Sequence, residues 1–292
     1  MNLTNHDMAE LSKIAEKAAI EAGHYIQKQF DQQYEKRHKE GGDSLASQVV
    51  TEVDIQAQKI ILDQLEESII GYDLGLLTEE QEDNQSRFEK DYFWCVDPLD
   101  GTLAFTEGRS GYAVSIALIS KAGDPLTACV YIPDSKELFS AILNKGLSLN
   151  GRPFKKSKSS DILHFYYDIS LEKTPYFNTI KNELHNFAIN NGLKNLKLHS
   201  GQGAVCNAIG VLKSGNGCYF KFPKENRGGG SIWDYAATRL IFNEAGLLVS
   251  TINGKKLLLN KENTFMNKFG IIYTFNSTIK KFILQLYKQL TK

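Results

Sequence analysis

The sequence predicts a mixed α and β fold in which an α+β half is followed by an α/β half. Three observations indicate it: an amphipathic segment near the start, strand-like segments in the middle, and strands that alternate with helices towards the end. The 292 residues are enough for one large domain or two ordinary ones. We predict two domains, residues 1–154 and residues 155–292, divided at the polar, lysine-rich stretch that begins at Lys155.

Two helices are predicted before the first strand. Apolar residues recur at helical spacing between about Met8 and Phe30, which indicates an amphipathic helix. Residues 31–47 are polar and contain glycine, so we expect a mobile loop there. Thr51 or Asp54 can cap the second helix.

The middle of the chain is typical of an antiparallel meander. Turn residues separate three β-rich runs, Tyr112–Ile119, Leu126–Ile132 and Leu138–Leu143. In the second half, strand-like segments alternate with helix-like ones, which favours a layered α/β domain. The strands predicted there are Phe165–Ile169, Leu196–His199, Tyr219–Phe222, Leu247–Ser250 and Gly270–Thr274. The helices predicted there are Pro175–Asn190, Ala204–Leu212, Ile232–Ala245 and a last one from Thr278.

Composition excludes several classes of function. With 34 basic and 34 acidic side chains the formal net charge is zero, so we expect no nucleic-acid polymer as a partner. The four cysteines are scattered without a Cys-x-x-Cys pair, which argues against a zinc site and a disulfide scaffold. No apolar run reaches membrane-spanning length, and the amino terminus lacks a signal-peptide core. We therefore expect a soluble, cytoplasmic protein with no membrane partner.

The segment Tyr92–Thr102 carries the strongest functional signal. An apolar run with strand character ends abruptly in Asp-Pro-Leu-Asp-Gly-Thr at 97–102. Two carboxylates at the spacing of Asp97 and Asp100, held on a rigid turn, can bind one hard cation such as Mg²⁺. An ordinary Asp-Pro turn followed by a capped helix is the alternative on these residues alone.

This segment resembles the metal-binding signature of the inositol monophosphatase superfamily, and further motifs in the same order support the resemblance. They are Val49–Asp54, Leu77–Glu80, Ile232–Ala237 and Asn243–Gly246. The resemblance implies a layered α-β-α-β-α sandwich and a phosphatase that uses two or three Mg²⁺ ions. It also implies a small phosphorylated substrate, and a protein that is a monomer or a homodimer.

Matched position by position, the resemblance assigns roles to individual residues. The implied metal ligands are the carboxylates of Glu79, Asp97, Asp100 and Asp234 and the backbone carbonyl of Leu99. The implied catalytic residues are Asp54 and Thr102, acting together as the activating base, and Glu79, which helps to hold or deprotonate the attacking water. Two alternatives stay open: Asp54 can simply stabilise a helix dipole in a first turn, and Glu80 can be a surface acid. The sequence departs from the family at Thr78, where glycine is common.

Substrate contacts are predicted at two places. The amides of Gly101 and Thr102 lie where a helix should begin and can hold a phosphate. Gly203 and Ala204 resemble a small-residue loop of the family that approaches the substrate.

The stretch before Trp233 is basic, with Lys221, Lys224 and Arg227, where inositol-directed members usually carry an acid. Basic groups favour a second phosphate over a bare polyol. We therefore expect a 3'(2'),5'-bisphosphate nucleotidase that hydrolyses the 3'-phosphate of 3'-phosphoadenosine 5'-phosphate. The alternative is an inositol-1-monophosphatase or sugar monophosphatase, with Glu225 as the acid. A non-catalytic metal or nucleotide sensor is a third interpretation, disfavoured because every implied ligand is present.

Overall fold

The computed structural model describes residues 2–39, 46–225 and 229–291, with side chains for 2–32, 52–225 and 229–291. In these residues the helices are, in chain order, α1 Asn5–Lys39, α2 Ala46–Gly71, α3 Ser86–Glu89, α4 Thr102–Thr106, α5 Phe177–Asn190, α6 Ala204–Lys213, α7 Ile232–Glu244 and α8 Ser277–Leu290. The strands are β1 Gly75–Thr78, β2 Tyr92–Asp100, β3 Ala113–Ser120, β4 Pro125–Ile132, β5 Glu137–Ile142, β6 Gly146–Leu149, β7 Arg152–Pro153, β8 Ile162–Tyr167, β9 Asn195–Ser200, β10 Gly217–Lys221, β11 Leu248–Ser250 and β12 Ile271–Thr274. None of the helices in the described ranges combines the length and the apolar character that a membrane span requires.

The strands form two sheets. The first sheet has the order β1-β2-β3-β4-β5-β6-β7, with β1 parallel to β2 and the other neighbours antiparallel. The second has the order β11-β12-β10-β8-β9, in which β10, β8 and β9 are mutually parallel. The meander predicted from residue 112 is therefore confirmed, and so is the alternation of strands and helices after residue 160.

Three apolar clusters define five layers. One face of the first sheet packs on α1 and α2 through residues such as Trp94 and Val96. Its other face, including Phe93 and Cys95, packs on α6 and α7, which also cover the second sheet. The far face of the second sheet packs on α5 and α8. This arrangement confirms the α-β-α-β-α sandwich, whereas the domain boundary at residue 154 stays a prediction.

The first two helices are longer than expected. The prediction of a loop at 31–47 is wrong for residues 31–39 and 46–47, which are helical, while residues 40–45 lie outside the described part of the chain. Residues 31–39 are rich in glutamine, glutamate, lysine and arginine, which favour helices without forming an apolar face. Because α2 begins at Ala46, neither Thr51 nor Asp54 caps it. Asp54 lies beyond the first turn, so the helix dipole does not explain it.

A β-bulge in β2 decides where its two acids point. Alternate residues of a regular strand face opposite sides, so Asp97 and Asp100, three residues apart, would diverge. The pairing with β3 shifts between them, since Asp97 lies opposite Ser115 and Asp100 opposite Ala113. These two partners share one face of β3, so the extra residue brings both acids to the same side of the sheet. That side faces the middle layer, because Ala113 belongs to the cluster with α6 and α7.

Two buried arginines connect the halves of the chain. Arg87 on α3 donates to Asp83 at 2.8 Å and to the side-chain oxygen of Asn260, from the second half, at 2.6 Å. Arg239 on α7 donates to Asp124, in the turn between β3 and β4, at 2.7 Å. The acidic loop after β1 and the helix α7 are thus tied to elements of the opposite half.

We expect Arg87→Met to lower the free energy of unfolding by about 2–4 kcal/mol, because it removes a buried cation and leaves its acceptors unpaired. The control is Lys90→Met, which removes a cation from an exposed pair with Asp73 and should cost less than about 1 kcal/mol. Urea unfolding measures both variants. Equal effects of the two substitutions would contradict this account of the arginine.

Candidate metal centre

Carboxylates from both halves of the chain meet between the two sheets. Asp97, Asp100 and Asp234 each offer an oxygen, and these oxygens lie within 4.8 Å of one another. Glu79 lies close enough to this group for its charge to raise the pKa of Asp97 and for the charge of Asp234 to raise its own. Glu79 follows Leu77 by two residues, and Leu77 packs in the middle layer, so the alternation along β1 places the glutamate on the same side. The structure thus brings together the four predicted carboxylate ligands.

Two helix N-termini hold two of these acids. The carboxylate of Asp100 accepts hydrogen bonds from the backbone N–H groups of Ala204 and Val205, at the start of α6, at 2.9 Å each. Asp234 lies in the first turn of α7, where its side chain accepts from the backbone N–H of Ser231 in a capping box. The positive end of a helix dipole stabilises a carboxylate at each place.

A glutamine on α2 fixes the turn that carries Glu79 and Glu80. The side-chain oxygen of Gln58 accepts from the hydroxyl of Thr78 and, at 3.0 Å, from the backbone N–H of Glu80. The departure from the family at Thr78 therefore has a structural use, because its hydroxyl anchors the turn to α2.

Burial and mutual repulsion raise the pKa values of these acids. Burial and the charge of Asp234 raise the pKa of Glu79 to about 7. Burial and the charges of Glu80 and Glu79 raise the pKa of Asp54 to about 8. Burial also raises the pKa of each of the three clustered aspartates. Crowded oxygen ligands that bind protons this tightly are well suited to hold a hard divalent cation instead.

The expected pairing of Asp54 with Thr102 is not formed. The hydroxyl of Thr102 donates to the carbonyl oxygen of Leu99 at 3.1 Å, and no hydrogen bond joins it to Asp54 within the described residues. Asp54 is buried on α2 beside Glu79 and Glu80. The roles of Leu99 as a ligand and of Asp54 and Thr102 in catalysis stay predictions.

Closely packed glycines line the junction between the two halves. Gly101 has φ of +86° and precedes α4, which begins at Thr102 as predicted. A Cβ atom on Gly203 would collide with the carboxylate of Asp100 and with Gly101. The backbone N–H of Gly203 donates to Gly111 at 2.8 Å, and that of Ala204 to Asp100. Both amides have partners within the protein, and their predicted contact with substrate stays a prediction.

A lysine and an aspartate that meet beside the cluster were not predicted as a pair. Lys221, at the end of β10, places its ammonium 2.6 Å from a carboxylate oxygen of Asp168, just after β8. Burial opposes the charge of Lys221, but Asp168, Tyr235 and Asp234 outweigh it and hold the pKa of the lysine well above its ordinary value. The sequence does offer one signal for Asp168, because it is a polar residue directly after a buried strand. Lys221 ends the neighbouring parallel strand, and the carboxyl ends of β8 and β10 meet at one edge of the sheet.

The two tryptophans differ in their surroundings. Trp94 is fully buried in the core and donates to the hydroxyl of Ser68 at 3.0 Å. The indole of Trp233 instead lies beside Glu79 and acts to lower the pKa of its carboxyl group.

A cavity of about 280 Å³ lies at the carboxyl end of β10, where Lys221 lines it, and none of the four clustered acids does. Of the residues that the structure describes, three charged ones line it, Asp168, Lys221 and Lys224. Its apolar walls are formed by Leu171, Tyr176, Phe220, Phe222, Tyr287 and Leu290. Of the other predicted contacts, Glu225 is exposed and does not line the cavity, and Arg227 lies outside the described residues.

Comparison with known proteins agrees with this geometry. The inositol monophosphatase family model matches residues 7–292. The chain belongs to the inositol monophosphatase family. It is 29% identical over 256 residues to the Nus factor SuhB of Escherichia coli (strain K12), a match that covers 85% of this chain and 87% of that protein. Membership makes the chain a phosphatase of this superfamily, whose members use divalent metals and act on small phosphorylated substrates.

Solved structures of the family share the fold. Inositol monophosphatase from Anabaena (Nostoc) sp. PCC 7120 superimposes with a TM-score of 0.70 at 22% identity, covering 97% of each chain. Inositol monophosphatase-II from Staphylococcus aureus MSSA476 gives a TM-score of 0.71 at 21% identity, covering 95% of each chain. At these identities the likeness confirms the inositol monophosphatase fold.

We expect protein treated with EDTA to lose stability as pH rises to about 8. Glu79 and Asp54 have pKa values of about 7 and about 8, above their ordinary 4.5 and 3.8. At pH values between the ordinary and the raised pKa values, the native state binds more protons than the unfolded chain. The free energy of unfolding therefore falls as the pH rises. Mg²⁺ replaces those protons and should stabilise the protein more at about pH 8 than at about pH 5. Thermal unfolding with EDTA or excess MgCl₂ measures this.

The matched variants for the pH measurement lie on one helix. Asp54→Asn should weaken the pH dependence of the EDTA-treated protein, whereas Asp63→Asn, at an exposed position of α2, should leave it unchanged. Equal stabilisation by Mg²⁺ at both pH values would show that the raised pKa values do not govern metal binding.

We expect Gly203→Ala to lower the free energy of unfolding by about 1–3 kcal/mol, because the added methyl group meets the Asp100 carboxylate and the Gly101 backbone. It should also weaken Mg²⁺ binding, since Asp100 is displaced. Gly71→Ala is the control, as its Cβ would meet no atom within 4 Å. Unfolding with and without Mg²⁺ tests both variants, and an unchanged Mg²⁺ effect in Gly203→Ala would refute the proposed link to Asp100.

Proposed function

We propose that this protein is a Mg²⁺-dependent phosphomonoesterase whose preferred substrate is a phosphorylated nucleoside, with 3'-phosphoadenosine 5'-phosphate as the first candidate. One observation carries the choice of substrate: the cavity lined by Asp168 and Lys221 has aromatic walls. The acidic centre itself supports the metal-dependent chemistry.

In this proposal Glu79, Asp97, Asp100, Asp234 and the carbonyl of Leu99 hold two or three Mg²⁺ ions. Ions held there would supply charge neutralisation at the phosphate and would lower the pKa of water. The proton of the attacking water would pass to the Thr102 hydroxyl, whose own proton would pass to the carboxylate of Asp54, as the family resemblance implies; this relay requires the two side chains to come into contact. The side chain of Gln58 keeps the turn that carries Glu79 in place, through Thr78 and the backbone N–H of Glu80.

The cavity walls favour a planar apolar group over a bare polyol. The ring of Phe222 lies 5.1 Å from that of Phe220 and 5.1 Å from that of Tyr287, measured between centroids. Such surfaces stack nucleic-acid bases, and each base stacked on a ring contributes about 1–3 kcal/mol. A polyol would need polar walls to replace its hydrogen bonds to water.

The charges of the cavity support a second phosphate at its outer end. Asp168 neutralises Lys221, so the two lysines and one aspartate leave Lys224 in excess. Lys224 is exposed and can pair with a phosphate. Lys221 is less suited to this role than the sequence indicated, because its ammonium already has a carboxylate partner.

A second candidate substrate is inositol 1-phosphate, which the family membership favours. The staphylococcal enzyme SaIMPase-II, which shares this fold with TM-scores of 0.72 and 0.70, has been solved with bound 2'AMP and with bound inositol monophosphate. Both substrate classes therefore need to be tested on this chain.

Phosphate release from 3'-phosphoadenosine 5'-phosphate and from inositol 1-phosphate, measured side by side with Mg²⁺, tests the proposal. We expect the nucleotide to be preferred by at least about tenfold in kcat/KM, equivalent to about 1.4 kcal/mol. Asp97→Asn is the control, and it should abolish release while remaining folded. Preference for the inositol ester would overturn the proposed substrate, and phosphate release without a divalent cation would overturn the proposed chemistry.

We expect Phe222→Ala to raise KM for the nucleotide by about tenfold, because the base loses a stacking surface. KM for inositol 1-phosphate should change little. The matched control is Phe187→Ala, which removes a half-buried ring stacked on Phe282 outside the cavity. Steady-state kinetics of both variants decide the point, and an equal rise in KM for both substrates would contradict base stacking at Phe222.

A further inference from the structure

Asp168 lines the cavity at the carboxyl end of β8, beside Lys221, and three donors hold its carboxylate. The ammonium of Lys221 is 2.6 Å from Oδ2. The hydroxyl of Tyr219 donates to Oδ1 at 3.0 Å, and the side-chain amide of Asn207 reaches the same oxygen at 3.4 Å. The carboxylate is thereby fixed against both β10 and α6.

The donors are buried, whereas the carboxylate is partly open. Tyr219 and Asn207 are both 0% exposed, but the side chain of Asp168 keeps 31% of its surface accessible, and the residue lines the cavity. The side-chain oxygen of Asn207 is buried without a hydrogen-bond partner among the described residues. An unpaired buried acceptor is costly, so Asn207 is held as a donor to Asp168 at some expense of stability.

The chemistry of this carboxylate selects its ligand. An ionised carboxylate only accepts hydrogen bonds, and its two oxygens have about four lone-pair positions, of which three are directed at the donors named above. A further position on the open side can accept a hydroxyl group of the substrate. An anionic group would be repelled there, because Lys221 is already neutralised. The leaving alcohol of a phosphorylated nucleoside carries such a hydroxyl on its ribose, next to the ester that is cleaved.

We propose that Asp168 is a specificity-determining residue that accepts a hydrogen bond from a hydroxyl group of the leaving alcohol. Tyr219, Asn207 and Lys221 are positioning residues that hold its carboxylate at the cavity wall. The inference rests on the proposed function in placing the leaving alcohol in this cavity. It predicts that the substrate carries a free hydroxyl beside the phosphate ester.

The test compares 3'-phosphoadenosine 5'-phosphate with its 2'-deoxy analogue in the wild-type protein and in Asp168→Ala. We expect the wild type to prefer the substrate with the hydroxyl by at least about tenfold in kcat/KM, as a hydrogen bond to a charged group provides. Asp168→Ala should hydrolyse both substrates with equal kcat/KM. Asp161→Ala is the matched control, because Asp161 pairs with Lys194 at 2.6 Å on the exposed surface of the same half, and it should keep the preference.

A second variant guards against loss of folding. Tyr219→Phe removes one donor to Asp168 and keeps the ring, so the preference for the hydroxyl should fall only in part. A preference that persists in Asp168→Ala, or that is absent from an active wild type, would overturn the inference and leave the proposed function standing. Hydrolysis of inositol 1-phosphate in place of both nucleotides would overturn the proposed function. In that case the role of Asp168 is tested by comparing kcat/KM for inositol 1-phosphate and for its deoxy analogues. Loss of the preference for the hydroxyl group in Asp168→Ala would support the role, and an unchanged preference would refute it.

Discussion

Carboxylates that are buried together repel one another, and this fold places four of them in the space between its two sheets. Desolvation and mutual repulsion both oppose their ionisation, which is why the pKa values of Glu79 and the three aspartates are raised. The protein compensates in part, with the N–H groups at the start of α6, the first turn of α7 and the ammonium of Lys221. The negative charge that these groups do not offset has to be neutralised by bound protons or by bound cations. Metal binding, pH dependence and stability are therefore linked in this protein.

The four acids form one centre only when the two halves of the chain are packed together in the correct relative position. The bulge in β2 brings Asp97 and Asp100 to the middle layer, and α7, which carries Asp234, packs against that face of the first sheet. Gly203 allows α6 to approach Asp100. The buried contacts of Arg87 and Arg239 fix the same register at the periphery. Since one set of contacts serves both packing and ligand placement, substitutions at the junction should affect stability and metal binding together.

The four carboxylates that meet in the structure could be named from sequence because the motifs that resemble the family's metal-binding signature are local. Asp97 and Asp100 lie on one turn, and Asp234 lies in the first turn of a helix whose start is visible in the sequence. The alternation of strands and helices likewise reflects local patterns. By contrast, the pairing of Asp168 with Lys221 depends on two parallel strands, and nothing local to either residue indicates its partner. The full length of α1 was not predicted because its last residues are polar. They favour a helix by their intrinsic propensity, but they do not form the apolar face by which a helix is recognised in a sequence.

The most direct test of this account is the affinity for a divalent cation, measured by calorimetric titration of EDTA-stripped protein with Mg²⁺ or Mn²⁺. Asp97→Asn removes a ligand supplied by the first sheet, and Asp234→Asn removes one supplied by α7. If the acids of the two halves form one centre, each substitution should weaken binding by at least about tenfold, or about 1.4 kcal/mol, while Asp63→Asn leaves it unchanged. Wild-type affinity in Asp234→Asn would show that the second half does not contribute to the site, and would contradict the account.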